Sequence, residues 1–225
     1  MKVFGILLTI VLLFSTAAAA DKRKVFVIGD SISIFYGPAL KKYIGSRFLY
    51  DRKRDNGEAL QDLDKPVGAN GGDSRMVVEY LRKLQADKSF AADILLVNCG
   101  LHDIKTDPAT GKKQIEPEEY LANLKTILKI SKKMKLRLVW ISSTPVDDER
   151  HNRQKVGFFR YNRDAAAYNE IARGLFEKAG VPIVDLYAFS REFPADAYAD
   201  HIHYKKEYAE LQAAFIAGFL LNSKF

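Results

Sequence analysis

The sequence contains 225 residues, of which 48% are hydrophobic and 28% are charged, and its formal net charge is +7. This composition excludes disordered and low-complexity proteins, and the chain is long enough to bury a core without a disulfide or a structural metal ion. A moderate basic excess can attract acidic polysaccharide, anionic lipid or nucleic acid, but it is more often a property of a solvated surface. Lysines spread over helix faces, as in residues 129–135, favour the second interpretation. We therefore expect no nucleic-acid partner.

The first 20 residues have the features of a secretory signal peptide. Lys2 supplies a positive charge, residues 3–14 are apolar, and Ala18 to Ala20 form a small-residue cleavage site. The apolar run is too short to span a bilayer comfortably and no second run follows, so we expect no integral membrane association. The sequence thus predicts a secreted or periplasmic protein, cleaved after about Ala20, in which residues 21–225 form a single domain.

Strand and helix patterns alternate along residues 21–225. Short apolar or β-branched runs predict strands at residues 24–28, 48–52, 93–98, 136–142 and 182–186, of which the second has the weakest pattern. Apolar residues at helical spacing predict helices directly after Gly72 and over residues 117–134, 158–179 and 204–221. The polar residues 147–155 predict a surface loop, for which a lid over a cleft is one alternative. The alternation predicts an α/β fold with a parallel sheet between layers of helices.

Polar clusters follow the predicted strands or precede the last helix at four places. They are Gly29 to Ser31, Asn70 to Ser74, Gly100 to Asp103 and Asp200 to His203. Ligands bind at the carboxyl ends of strands in such sheets, so we expect the four clusters to converge. A serine at a strand-to-helix turn, a histidine and a carboxylate are the parts of a nucleophilic acyl-transfer site. A glycine near a helix N-terminus supplies an accessible backbone N–H for developing negative charge.

This ordered set of motifs resembles the GDSL, or SGNH, hydrolase superfamily over residues 29–203, nearly all of the chain after the leader. The resemblance implies a three-layer α/β/α sandwich of flavodoxin-like architecture. It implies that Ser31 is the nucleophile, His203 the base and Asp200 the carboxylate that orients the base. It further implies an oxyanion hole that includes the backbone N–H groups of Ser31 and Gly72. No cofactor and no metal ion are implied.

The chain departs from this superfamily at residue 102. The family's third motif is Gly-x-Asn-Asp, whose asparagine side chain donates to the oxyanion, whereas this chain has Gly100-Leu101-His102-Asp103. An imidazole N–H can also donate, so we assign His102 to the oxyanion hole. A different leaving group, or a site that binds without turnover, are the alternatives. We expect Asp103 to hold its loop by hydrogen bonds.

Other chemically distinctive residues have structural interpretations. They are a buried thiol at Cys99, a loop-holding carboxylate at Asp30, a core ring at Trp140, a structural or pocket-wall ring at His201 and a solvated ring at His151. The aromatic run 158–161 has two equal interpretations, as a cleft wall or as core packing. The cluster of residues 200–203 lacks a third ligand of the type that zinc requires, which argues against a metal site.

The predicted activity is that of a secreted serine esterase that removes short acyl groups, such as acetyl, from carbohydrate. Its substrate would be a small-molecule or polysaccharide ester. One alternative is a lysophospholipase-like or thioesterase-like acylhydrolase, which needs an extended apolar groove. A second alternative, motivated by His102, is a non-catalytic carbohydrate-binding protein on a decayed hydrolase scaffold.

Overall fold

The computed structural model of the protein describes residues 22–224. The predicted signal peptide and its cleavage site lie outside the described residues, so that expectation stays a prediction. Within residues 22–224, no helix is both long enough and apolar enough to cross a bilayer.

The centre of the fold is a sheet of five parallel strands in the order β2-β1-β3-β4-β5. The strands are β1 (Arg23–Ile28), β2 (Phe48–Arg52), β3 (Ile94–Val97), β4 (Arg137–Ile141) and β5 (Ile183–Val184). All four residues of β3 are buried, as expected for a strand covered by helices on both faces. All five predicted strands are therefore present, including the weak second one.

Within residues 22–224, seven α-helices and two short 3₁₀ helices connect and flank the strands. The α-helices are α1 (Ser31–Ile44), α2 (Ser74–Ala86), α3 (Pro117–Lys133), α4 (Asp148–Asn152), α5 (Asn162–Lys178), α6 (Leu186–Arg191) and α7 (Lys206–Asn222), and the 3₁₀ helices span Glu58–Leu60 and Ala195–Ala197. Helix α7 packs along α1, and α3 packs between α2 and α5. The predicted three-layer α/β/α architecture is confirmed.

The hydrophobic core lies on both faces of the sheet. Trp140 in β4 is buried and its ring lies 4.7 Å from that of Phe176 in α5, which confirms it as a core residue. Cys99 is buried and free, as expected. Burial, with the nearby carboxylate of Asp103, raises the pKa of the Cys99 thiol well above its ordinary value, so this thiol is not an activated nucleophile.

The predicted helix over residues 158–179 begins later than the sequence suggests. Residues 158–161 are extended because Phe159 exchanges two backbone hydrogen bonds of 2.8 Å with Thr106. The side chain of Asn152 also bonds both the backbone N–H and the carbonyl of Arg160, at 3.1 Å each. These contacts use backbone groups that a helix would need, so α5 begins at Asn162.

Two other boundaries differ from the predictions for a similar reason. The polar residues 147–155 contain the short helix α4, because the Asp147 carboxylate caps it by accepting from the Arg150 N–H at 3.0 Å. The predicted strand at 182–186 is reduced to two residues, because Asp185 caps α6 by accepting from the Ala188 N–H at 3.0 Å. In both cases a local capping interaction competes with the expected state.

The loop that follows β3 is held by Asp103, as the sequence predicts. Its carboxylate accepts from the Ser74 N–H at the start of α2 (2.9 Å), and its carbonyl accepts from the Ile115 N–H (3.0 Å). Gly100 opens this loop with a φ of +152°, and a Cβ there would collide with the Ser143 hydroxyl. The position of residue 102 therefore depends on both Gly100 and Asp103.

Asp103→Asn is expected to remove a pH dependence of stability. Burial raises the pKa of Asp103 from 3.8 to about 7. The folded chain thus keeps a proton, across this range of pH, that the unfolded chain loses. The resulting stabilisation is complete below pH 3.8 and is lost as the pH rises through about 7. Asparagine still accepts from Ser74 but does not titrate.

Melting temperatures from pH 4 to pH 8 test this expectation. The melting temperature of the wild-type protein should fall relative to that of Asp103→Asn as the pH rises. Glu118→Gln, which changes an exposed carboxylate at the start of α3, is the matched control and should follow the wild type. Parallel pH profiles for the wild type and Asp103→Asn would contradict the assignment.

Candidate active site

Ser31 is the first residue of α1 and lies three residues beyond the end of β1. The turn between them is held by Asp30, whose carboxylate accepts from the Ile32 N–H (3.0 Å) and whose carbonyl accepts from the Ser33 hydroxyl (2.6 Å). Burial raises the pKa of Asp30 to about 6, although the Ile32 N–H and the charge of Arg160 oppose the increase. The predicted loop-holding role of Asp30 is confirmed.

The structure brings Ser31, His203 and Asp200 together in one hydrogen-bonded series. Ser31 Oγ lies 2.7 Å from His203 Nε2, and His203 Nδ1 lies 2.7 Å from Asp200 Oδ2. The serine hydroxyl and the imidazole are both buried, whereas the carboxylate is partly exposed. With Asp200 accepting at Nδ1, the Nε2 atom has its lone pair towards the serine hydroxyl. The arrangement can remove the Ser31 proton as the hydroxyl attacks.

Asp200 is fixed by its own turn as well as by His203. Its Oδ1 atom accepts from the backbone N–H groups of Ile202 (2.8 Å) and His203 (2.7 Å). Burial alone would raise the pKa of Asp200, but the hydrogen bond from His203 and these N–H groups lower it to about 2. The carboxylate is therefore ionised at neutral pH. The ring of Phe35 packs on His203 at 5.2 Å.

The segment that contains Gly72 lies against the turn that contains Ser31. The Gly71 N–H donates to the Gly29 carbonyl at 2.8 Å, and Gly29 pairs with Asn70 as an isolated parallel bridge. Gly72 has a φ of +70°, and a Cβ there would lie 2.6 Å from the Met76 sulfur, so the position favours glycine. The Gly72 N–H donates to Asn70 Oδ1 at 3.0 Å. Any bond from Gly72 to an oxyanion must share this hydrogen.

His102 is buried in the loop after β3 and is held neutral by its surroundings. Burial lowers the pKa of His102 well below its ordinary value, and the positive charges of Lys105 and Arg160 lower it further. Its Nδ1 atom is buried and has no hydrogen-bond partner within residues 22–224. Arg160 Nε donates to the carbonyl of Leu101 at 2.7 Å, which fixes the peptide next to His102. A neutral imidazole carries one N–H donor.

A partly buried charge cluster that the sequence did not reveal lies beside the histidines. Asp64 Oδ2 is 3.3 Å from His201 Nε2, and Asp64 Oδ1 is 3.6 Å from Arg160 Nη1. Lys105 Nζ donates to the Asp64 carbonyl at 2.8 Å. Burial opposes ionisation of Asp64, but the bond to His201 and the charge of Arg160 hold its pKa far below the usual value. No short motif marks this cluster, because Asp64 and His201 are 137 residues apart.

The structure separates the roles of the nearby histidines. His201 contacts Asp64 and makes no hydrogen bond with Ser31, in agreement with its predicted structural role. The prediction that His151 is solvated is wrong. His151 is fully buried, because its ring packs 4.9 Å from His201 and 5.7 Å from Phe158. Burial and the charge of Arg160 lower the pKa of His151 to about 3, so it is neutral.

Of residues 158–161, only Arg160 belongs to the buried interior, and the interpretation of the run as a cleft wall stays a prediction. Arg160 is buried behind the loop of His102, whereas Phe158, Phe159 and Tyr161 are partly exposed. The Phe158 ring lies 4.7 Å from the Arg160 guanidinium and 4.4 Å from Lys105 Nζ. The run therefore covers the charge cluster. Within residues 22–224, no group of three or more His, Cys, Asp or Glu side chains is placed to hold a metal ion.

Comparison with solved structures identifies the same fold in distant proteins. An acetyl xylan esterase superposes with a TM-score of 0.65 at 13% identity, over 88% of this chain and 99% of that one. A structure from Bacteroides fragilis described as a putative acylhydrolase superposes with a TM-score of 0.63 at 14% identity, over 91% of this chain and 88% of that one. An aryl esterase from M. smegmatis gives 0.61 at 12% identity, over 89% and 99%. None of the curated proteins compared with the chain matches it significantly.

A match to a family model identifies the family of the chain. Residues 27–210 match the GDSL-like lipase/acylhydrolase family, and this range contains all four motif clusters described above. The resemblance stated from the motifs is therefore confirmed, and the structure agrees with it at the level of the fold. The chain belongs to the GDSL-like lipase/acylhydrolase family and is a carboxylic ester hydrolase.

Proposed function

We propose that this protein is a serine esterase in which Ser31 is the nucleophile, His203 the general base and Asp200 the residue that orients the base. The observation that carries the proposal is the 2.7 Å contact between Ser31 Oγ and His203 Nε2, continued by the 2.7 Å contact from His203 Nδ1 to Asp200. A serine hydroxyl is a weak nucleophile unless a neutral base is positioned to take its proton. The series supplies that base in the required tautomer.

Catalysis proceeds through an acyl-enzyme. Ser31 Oγ bonds to the ester carbonyl carbon while His203 Nε2 takes the hydroxyl proton. The tetrahedral intermediate collapses as His203 returns this proton to the leaving alcohol. Water then attacks the acyl-serine through the same histidine, which restores Ser31 and releases the acid. Ionised Asp200 stabilises the imidazolium that forms in each half-reaction.

The oxyanion is stabilised by donors from three loops. Asp30 accepts from the Ile32 N–H, and the Ser33 N–H donates to the Asp30 carbonyl. The Ser31 N–H is then the first-turn donor that remains for the substrate. The Gly72 N–H contributes by sharing its hydrogen between Asn70 Oδ1 and the oxyanion. His102, held neutral, contributes its single N–H in place of the family's asparagine.

The proposed substrate is a short acyl ester, such as an acetyl ester, of a carbohydrate. Support comes from the likeness of the fold to an acetyl xylan esterase and from the leader-like sequence of residues 1–20, which favours export to a place where polysaccharide is met. If the protein is exported, its mature form should begin near Asp21, and N-terminal sequencing of the exported protein would test this.

The acyl-length preference can be measured directly. We expect turnover of p-nitrophenyl acetate and at least 100-fold lower kcat/KM for p-nitrophenyl palmitate, on the order of 3 kcal/mol in transition-state binding. Preference for palmitate would support a lipase-like acylhydrolase instead. Loss of both activities in folded protein would support the non-catalytic alternative.

The catalytic series predicts a pattern of mutant kinetics. Ser31→Ala and His203→Ala should each lower kcat for p-nitrophenyl acetate by about 10⁴-fold or more, and the double variant should cost little beyond either single one. Asp200→Asn should lower kcat by about as much or somewhat less, because it disfavours the required tautomer of His203 but leaves the imidazole in place. His201→Ala is the matched control. If His201→Ala lost as much activity as His203→Ala, the assignment of His203 as the base would be wrong.

The donor role of His102 predicts a partial rescue. His102→Ala should lower kcat by about 10²–10³-fold with little change in KM, the cost of removing one oxyanion donor. His102→Asn should recover part of the loss, because its amide also offers an N–H. Steady-state kinetics and melting curves on both variants provide the measurement. An inactive His102→Asn that melts like the wild type would contradict the donor role.

A further inference from the structure

A groove of about 500 Å³ lies between α1 and the carboxyl end of β2. Its lining includes the apolar residues Ile34, Pro38 and Ala69. The charged residues of the lining are Lys41, Arg52, Lys53 and Arg54, with the two carboxylates of Asp51 and Asp55. The volume is in the range of sites that hold a small organic ligand. The groove does not include the hydroxyl of Ser31, so it is a separate surface from the acyl-transfer site.

The groove is aligned with the proposed nucleophile along α1. Ser31, Ile34, Pro38 and Lys41 recur every three or four residues, so they form one stripe of the helix. Lys41 therefore lies about 15 Å along the helix axis from Ser31. Ala69, which also lines the groove, directly precedes the segment that contains Gly72. A molecule whose ester reaches Ser31 can extend its non-reacting part along this stripe into the groove.

Three of the basic side chains in the groove are not held in a salt bridge. Within residues 22–224, Lys41, Arg52 and Lys53 take part in none of the ion pairs. The Arg52 guanidinium donates only to neutral acceptors, which are the carbonyl and hydroxyl of Ser33 and the carbonyl of Ala69, at 3.0 to 3.1 Å. Lys53 donates to the carbonyl of Gly68.

The two carboxylates of the groove are already engaged. Asp51 pairs with Arg54 at 3.4 Å and accepts from the Arg52 N–H at 2.9 Å, and Asp55 accepts from the Gly57 N–H at 3.1 Å. Burial and the neighbouring charge of Arg52 lower the pKa of Lys53, although the charges of Asp55 and Glu58 oppose the decrease. An anionic ligand would relieve this repulsion.

We propose that the groove binds an anionic sugar unit of the ester substrate, through Lys41, Lys53 and the field of Arg52, while Ser31 acts on an acyl group of another unit of the same glycan. A sugar ring offers a C–H face to the apolar side chains and a carboxylate or sulfate to the basic ones. An acyl chain would offer no anion to the three cations. This inference rests on the proposed esterase function and extends it to acidic glycans.

Binding tests the groove without turnover. In a Ser31→Ala background, isothermal calorimetry compares tetragalacturonate, a sulfated galactan tetrasaccharide and neutral xylotetraose. Both anionic ligands, or one of them, should bind at least tenfold tighter than xylotetraose, and the stronger of the two identifies the anion. The double variant Lys41→Gln with Lys53→Gln should bind the anionic ligand about tenfold more weakly, because it loses two partly exposed charge contacts. Equal affinities for all three ligands would overturn the proposal.

A matched charge control accompanies this variant. Lys125→Gln with Lys129→Gln removes the same charge from exposed positions of α3, which packs against α2 and α5 and not against the groove. This control should bind the anionic ligand as tightly as the Ser31→Ala parent. If its affinity fell as much as that of the groove variant, the effect would come from net charge and not from the groove. Melting curves establish that both double variants are folded. Binding of phosphatidylglycerol vesicles but of no oligosaccharide would also overturn the proposal.

Kinetics separates failure of the groove from failure of the esterase function. On acetylated oligogalacturonate and acetylated xylo-oligosaccharide of equal length, the ratio of the two kcat/KM values should favour the anionic substrate and fall about tenfold in the groove variant, through KM. An unchanged ratio overturns the groove assignment while the esterase stands. If the anionic ligand binds tightly but no ester is turned over in a Ser31-dependent way, the esterase function is overturned and the assignment of the groove stands.

Discussion

Parallel pairing at the centre of the sheet determines where every group of the site lies. Strands β1 and β3 are paired in the register Ile28 with Val97, so both end at the same edge. Beyond that edge, the Asn98 N–H still donates to the Ile28 carbonyl at 3.0 Å, and the Gly71 N–H donates to the Gly29 carbonyl at 2.8 Å. Backbone hydrogen bonds thus hold three motifs side by side, and their side chains meet as a consequence.

The fourth motif reaches this edge through packing between helices. His203 comes shortly before α7, and α7 packs along α1, the helix that begins with Ser31. The Ala199 N–H donates to the His203 carbonyl at 2.8 Å, which closes the turn around the histidine. The short contact between His203 and Ser31 therefore depends on the α1–α7 contact as well as on the sheet. The charge cluster of Asp64 and Arg160 reaches the same region through the contact between Asp64 and His201.

Local patterns in the sequence were sufficient for the strands and for the residues of the proposed catalytic series. Each strand is a short apolar run, and Ser31, Gly72, Asp200 and His203 each lie in a distinctive motif. The sequence could not reveal contacts between distant polar residues. Nothing near Asp64 shows that it meets His201, and the polar neighbours of His151 concealed that its ring is buried among aromatic rings. The extended residues 158–161 likewise depend on a remote partner, Thr106.

The central claim is that Ser31 is an activated nucleophile, and covalent labelling with a fluorophosphonate tests it most directly. An activated serine hydroxyl attacks the phosphorus atom and releases fluoride, whereas an ordinary hydroxyl does not react. Tandem mass spectrometry should find one adduct, on Ser31, in the wild-type protein and none in folded His203→Ala. An unlabelled wild-type protein that is folded, or an adduct on another residue, would contradict the account.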